Sequence, residues 1–178
     1  MNVNAEILMN VTPTETRVAV VENGVLQEIF IERTNHRGLV GNIYKGKIVR
    51  VLPGMQAAFV DIGLERAAFI HVAEIGSGDS STPINQLVHE GQSLVVQVTK
   101  DPINSKGARL TTQLAIPSRY LVYMPGSVHV GISQKIEETA ERDRLKQLVK
   151  DCMESEGLTG EVGFILRTAA EGVGEEEI

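Results

Sequence analysis

The chain has 178 residues, 42% hydrophobic and 22% charged, with a formal net charge of −6. This is the profile of a globular protein with a real core, and it excludes a chain too polar to fold; the acidic balance argues against a surface that attracts polyanions everywhere. The single cysteine, Cys152, excludes an intrachain disulfide and a zinc site built from several thiolates. The opening MNVNAEILMNVT lacks a basic segment followed by a long apolar stretch, and no apolar run approaches the ~18 residues that span a bilayer. The expectation is a cytoplasmic protein with no membrane contact.

Residues 5–11 (AEILMNV) read as a strand. Two β-rich runs, 16–21 and 25–32, follow as a hairpin joined at Asn23-Gly24, a pair that tolerates the positive φ of a tight turn. TNHRG at 34–38 is polar punctuation and a boundary. The next strand is NIYKGKIVRV (42–51). LPGMQ then turns the chain, QAAFVDI is a strand, GLER is a turn, and AAFIHV is a strand. GSGDSSTP (76–83) has the composition of a flexible loop. SLVVQVTK (93–100) and ARLTTQL (108–114) are strands separated by the loop DPINSKG. Five short strands with such connections suit a small antiparallel barrel of the OB type.

Beyond Pro117, RYLVYM and HVGIS read as strands. Residues 139–153 place Leu145, Leu148, Val149, Cys152 and Met153 at helical spacing, with Thr139 as candidate N-cap. VGFILRT (162–168) is a last strand, after which the acidic AAEGVGEEEI trails off. Charge is uneven along the chain. Residues 37–113 carry 8 basic and 6 acidic side chains, whereas residues 1–36 carry 2 and 5, and residues 114–178 carry 7 and 12. The middle segment is therefore the place for a polyanion.

The middle segment, YKGKIVRVLPGMQAAFVDIGLERAAFIHVAEI with EGQSLVVQVTKD and KGARLTT, resembles the S1 RNA-binding domain. Together with NVTPTETRVAVVENGVLQEIFIER before it and RYLVYMPG and GFILRTAAEGVGE after it, nearly the whole chain is similar to the ribonuclease E/G family of bacterial endoribonucleases. The resemblance implies an α+β, mostly β chain in three parts. Residues 1–37 would open a ribonuclease-H-like subdomain, 38–115 would form the OB-type barrel, and 116–178 would belong to a subdomain that senses the RNA 5′ end.

A turn centred near Leu64 would set Phe59 and Phe69 opposite one another, a platform on which unpaired bases stack. Lys45, Lys47 and Arg50 on the first barrel strand, with Lys100 and Lys106 near the last loop, would line a phosphate path. The bland alternative is that both phenylalanines are core, the usual place for this residue type. Tyr44 reads as closer to core than contact, His71 as a structural edge residue, and Asp61 in FVDIG as a turn cap.

The resemblance also implies that Arg167 and Thr168 bind the 5′-monophosphate of RNA, with Val122 near that pocket contributing backbone amides. A guanidinium fork and a hydroxyl both donate to a terminal phosphate. The competing reading is a strand-end arginine held by a surface carboxylate. Glu137, Glu138 and Glu141 suit a helix start, and Cys152 has core spacing with nothing basic beside it.

In the family, hydrolysis belongs to aspartates that hold magnesium in a later deoxyribonuclease-like domain, and two protomers join through paired cysteines on zinc. The expectation is that this chain is the binding and sensing portion of a magnesium-dependent enzyme that cleaves single-stranded RNA. The parent is expected to be a homo-oligomer, while the chain itself has no catalytic residue and no specific metal site. The alternative is a stand-alone S1-type RNA-binding module acting in translation or as an RNA chaperone.

Overall fold

A computed structural model of the chain describes residues 4–76, 81–158, 160 and 162–178. The centre of the expected 76–83 loop, residues 77–80, lies outside them. The chain divides into two compact units, Met1–Leu39 and Val40–Ile178.

The first unit is a three-stranded antiparallel sheet of β1 (Ala5–Val11), β2 (Glu15–Glu22) and β3 (Val25–Arg33), with β2 in the middle. The β2–β3 turn is the expected two-residue one. Glu22 pairs with Val25, and Asn23 and Gly24 have φ of 51° and 78°, the conformation that matches the twist of a hairpin. A bulge at Val20/Val21 shifts the register. All of β1 and β3 is exposed, including Ile7, Met9, Ile29 and Phe30.

In the second unit, β4 (Ile43–Leu52), β5 (Ala57–Asp61), β6 (Ala68–His71), β7 (Ser93–Lys100) and β8 (Arg109–Thr111) close into a barrel in the order β4-β5-β6-β8-β7. The expectation of an antiparallel barrel needs one correction: β8 runs parallel to β6 while the other pairs are antiparallel. Alternation along the strands fills the interior with Ile48, Ala58, Val60, Ala68, Ile70, Val96, Val98 and Leu110, all buried. Gly46 also faces inward. A Cβ there would lie 2.5 Å from a Val60 methyl, so the crowded barrel wall requires glycine at this point. A short helix, α1 (Ile84–Leu87), was not anticipated; four residues are too few for a helical period to register.

Buried Gln97 ties the two ends of the barrel together. Its Nε2 donates to the carbonyls of Gly41 (3.0 Å) and Ala115 (2.9 Å), and its Oε1 accepts from the Ala115 amide at 2.8 Å. The amide side chain is thereby satisfied where desolvation would otherwise penalise it.

The remaining chain forms β9 (Ile116–Pro117), β10 (Leu121–Pro125), β11 (Val130–Ile132), α2 (Thr139–Ser155) and β12 (Val162–Leu166), in a sheet ordered β11-β12-β10-β9. Because β11 and β12 are parallel neighbours, α2 is the crossover between them. It buries Leu145 and Val149 against Ile132, Ile136, Leu166 and Ala170.

Three expectations are corrected here. Thr139 is the first helical residue rather than the N-cap; Glu138 holds that place with no side-chain cap bond. The last strand ends at Leu166, before Arg167 and Thr168. The acidic tail does not trail off: it forms 3-10 turns at Thr168–Ala170 and Glu175–Glu177, and Ile178 packs on the core. The tail is also fastened by polar bonds, from Tyr120 Oη to Glu177 at 3.3 Å and from the Gly172 amide to Glu141 at 2.8 Å.

Candidate nucleic-acid interface

On β5 and β6 the inward positions are taken by Ala58, Val60, Ala68 and Ile70, which leaves Phe59 and Phe69 pointing outward. They are direct cross-strand partners, as a turn near Leu64 requires. Both are half-buried rather than core, and their centroids stand 6.2 Å apart at 70°. An edge-to-face pair consumes one ring face and one ring edge, so aromatic surface remains open to a further planar group.

Register extends this pair into a row across the barrel. Arg50 lies opposite Phe59 on β4, Arg109 lies beside Phe69 on β8, and Lys100 lies opposite Arg109 on β7. Two aromatic rings are thus flanked by cations on both sides. From Phe59 to Lys100 the row lines a cleft of about 800 Å³. Met55 and Ile103, each 61% exposed, supply apolar lips, and Arg66 and Lys106 join the wall. Among the described residues its lining holds one carboxylate, Asp101, against four cationic side chains. Such a surface combines planar stacking with positive potential.

The cleft is shaped by the DPINSKG loop. Ile103 and Lys106 exchange backbone bonds of 3.1 and 2.9 Å across a tight turn, with Asn104 at φ 52°. The Arg66 guanidinium donates to the Asn104 carbonyl and anchors the turn. Gly107 then crosses β6 so closely that a Cβ would lie 2.0 Å from the Ala67 carbonyl oxygen, and only glycine fits.

Of the five cations expected to line a phosphate path, Lys100 and Lys106 enter the cleft and Arg50 extends its aromatic row. Lys45 and Lys47 are exposed on the half of β4 that pairs with β7, away from the cleft lining; Lys47 also faces Asp61 across the ladder. Sequence reasoning missed Arg66 and Arg109. Tyr44 is half-buried and accepts from Asn42 Nδ2 at 3.3 Å. His71 Nδ1 accepts from the Ala73 amide at 3.2 Å, and Asp61 accepts from the Gly63 amide at 2.9 Å, so both have structural employment.

A second constellation lies at the end of β12. Arg167 and Thr168 are exposed. The Arg167 amide donates to the Tyr120 carbonyl at 2.7 Å, and its Nη1 donates to the Ser118 carbonyl at 2.6 Å. Among the described residues its side chain is thus held by a backbone oxygen rather than by the carboxylate of the competing reading. The Thr168 hydroxyl lies 3.1 Å from that of Ser133, at the end of β11. Val122, in β10, has Ile165 on one side and Pro117 on the other.

Glu141 and Arg144 form a bidentate pair at 2.7 Å, and Arg144 also donates to the Val173 carbonyl at 3.1 Å. The Arg144 guanidinium first, and the Gly172 amide second, hold the Glu141 carboxyl at about 2. Burial, then the nearby Glu175, Asp151 and Glu156, push the Cys152 thiol up, which disfavours the thiolate. Among the described residues no group of three or more His, Cys, Asp or Glu converges as a metal site. Nor is any described helix long and apolar enough to cross a membrane.

Comparison with known proteins gives two family matches. Residues 39–111 match the S1 RNA binding domain, and residues 115–178 match the Ribonuclease E/G family. Ribonuclease G of Escherichia coli K12 is 57% identical over 98% of this chain and 37% of its own length. Ribonuclease G of Haemophilus influenzae is 55% identical over 97% of the chain and 36% of its own length. Ribonuclease E of E. coli K12 is 37% identical over 97% of the chain and 17% of its own length. The chain thus spans little more than a third of the length of the ribonucleases G that it matches.

Proposed function

Since the chain belongs to the ribonuclease E/G family, we propose that it is the RNA-binding and 5′-end-sensing portion of an endoribonuclease. The parent enzyme cleaves single-stranded RNA in the cytoplasm during RNA processing and decay. The observation that carries this reading is the half-exposed Phe59–Phe69 pair set among Arg50, Arg66, Lys100, Lys106 and Arg109. Unpaired bases offer π faces to the rings while the cations follow the backbone. A duplex hides those faces, which favours a single strand as ligand.

Arg167 and Thr168 supply terminal recognition. A 5′-monophosphate carries more charge than an internal phosphodiester and presents three acceptor oxygens. The guanidinium and hydroxyl are both donors, and Val122 on β10 pairs with Ile165, two residues before Arg167. In this reading the three-stranded sheet is the opening of a ribonuclease-H-like subdomain, completed by further parts of the parent protein. Hydrolysis with magnesium, and association of protomers through zinc, likewise belong to those parts.

The test measures affinity of the chain for one single-stranded oligonucleotide bearing either a 5′-monophosphate or a 5′-hydroxyl, and for its duplex. The single strand binds more tightly than the duplex, and the monophosphate binds more tightly than the hydroxyl. Arg167→Gln removes the second preference and leaves the first. Equal losses on both 5′ ends would make Arg167 structural.

A further inference from the structure

The Thr168 hydroxyl does not stand alone. Thr168 is exposed, and its Oγ1 lies 3.1 Å from Ser133 Oγ. Ser133 Oγ in turn accepts from the Lys135 amide at 3.3 Å. The backbone of Ser133 is fixed from two further directions. Its amide donates to the Leu166 carbonyl at 2.8 Å, in the ladder that joins β11 to β12. Its carbonyl accepts from Arg142 Nη1 at 2.8 Å, and the same nitrogen donates to the Ile136 carbonyl at 2.8 Å. Arg142, on α2, thereby clamps the turn that carries Ser133.

Proton direction follows from the donor inventory. A backbone amide only donates, so Ser133 Oγ is an acceptor toward Lys135 and keeps its own hydrogen for another partner. The ionised oxygens of a terminal phosphate only accept, so Thr168 must spend its single hydrogen on the phosphate and receive one from elsewhere. Ser133 is the neighbour in position to give it. The chain then runs one way, from the Lys135 amide to Ser133, from Ser133 to Thr168, and from Thr168 to the anion, with each bond polarising the next.

We propose that Ser133 is a positioning residue for terminal-phosphate recognition, acting through Thr168 by fixing the direction in which its hydroxyl donates. The proposal rests on the reading of Thr168 as a phosphate contact. Arg142 contributes by holding the Ser133 turn.

The experiment measures dissociation constants of the intact chain for a single-stranded RNA with a 5′-monophosphate and for the same RNA with a 5′-hydroxyl. The readout is their ratio, in wild type, Ser133→Ala, Ser133→Thr, Thr168→Val and the double variant Ser133→Ala/Thr168→Val. Loss of one such hydrogen bond lowers the ratio about fivefold in Ser133→Ala. Ser133→Thr keeps the ratio, and the double variant falls no lower than Thr168→Val. Affinity of the Ser133 variants for the 5′-hydroxyl RNA stays at the wild-type value, which separates positioning from misfolding.

An unchanged ratio in Ser133→Ala beside a reduced one in Thr168→Val overturns this proposal and spares the sensing role. Additive losses in the double variant make Ser133 an independent contact and also overturn it, as do equal losses on both RNAs. A wild-type chain without preference, or a Thr168→Val chain that keeps it, overturns both readings together.

Discussion

Placing two phenylalanines half-buried on an outer face forgoes part of the ~1.5–3 kcal/mol that full burial of each ring would contribute. Here Ala58, Val60, Ala68 and Ile70 occupy the inward positions and leave Phe59 and Phe69 outside. Their pairing was legible in the sequence because a turn near Leu64 dictates it. Arg109 was not legible. In ARLTT the expected alternation fails: Leu110 and Thr111 are both buried, the latter with its hydroxyl on the Glu74 carbonyl at 3.3 Å. Only the parallel register with β6 places Arg109 beside Phe69. If Arg109 and Lys106 neutralise phosphates, replacing either by alanine lowers the salt dependence of RNA binding. The plot of log affinity against log salt flattens by about 0.7 per lost contact on a single strand. Binding titrations at several salt concentrations check this, and Lys45→Ala, away from the cleft, leaves the slope in place.

Long periodic segments declared themselves as elements, and short or tertiary-dependent ones did not. β1 and β7 fall on their expected residues, and α2 differs only at its ends. β9 has two residues and exists through its pairing with β10, which no local pattern announces. The tail after Ala170 looked like a solvated acidic run, yet α2 reaches out to hold it through Glu141 and Arg144. That latch is pH-dependent. The folded Glu141 carboxyl is depressed to about 2 from an ordinary value of 4.5. A depressed carboxylate adds stability above its unfolded pKa and loses it as pH falls through the folded value. Protection of the Gly172 amide, taken as the slowing of its exchange relative to an unprotected amide at the same pH, should therefore fall between pH 4.5 and about 2. Glu141→Gln should show low protection at all pH values, without that step. Protection independent of pH in the wild type would remove the latch from the account.

At the scale of the whole chain, the boundary expected at TNHRG falls close to the division after Leu39. What the sequence could not show is that the first unit leaves apolar side chains wet on both of its outer strands. Burial depends on what else is present, and local alternation cannot report that. Carboxylates such as Asp61 and Glu90 are employed in turns and bulges, Asp61 on the Gly63 amide and Glu90 on the Val51 amide at 3.3 Å. Metal-assisted phosphodiester hydrolysis needs carboxylates converging on an ion. On the proposed reading, in which hydrolysis belongs to parts of the parent enzyme outside this chain, the 178-residue chain with magnesium should leave a 5′-phosphorylated single-stranded RNA intact. Cleavage that survives purification and vanishes in Asp61→Asn would transfer catalysis to this chain.

The central claim is that the outer face of the barrel binds single-stranded RNA by stacking as well as by charge. Titration of one labelled single strand into wild type, Phe59→Ala and Phe69→Ala, with folding verified for each, tests it most directly. Each variant is predicted to bind about 1–3 kcal/mol more weakly while retaining the wild-type salt slope. Unchanged affinity in folded variants would contradict the claim and leave the two rings as packing alone.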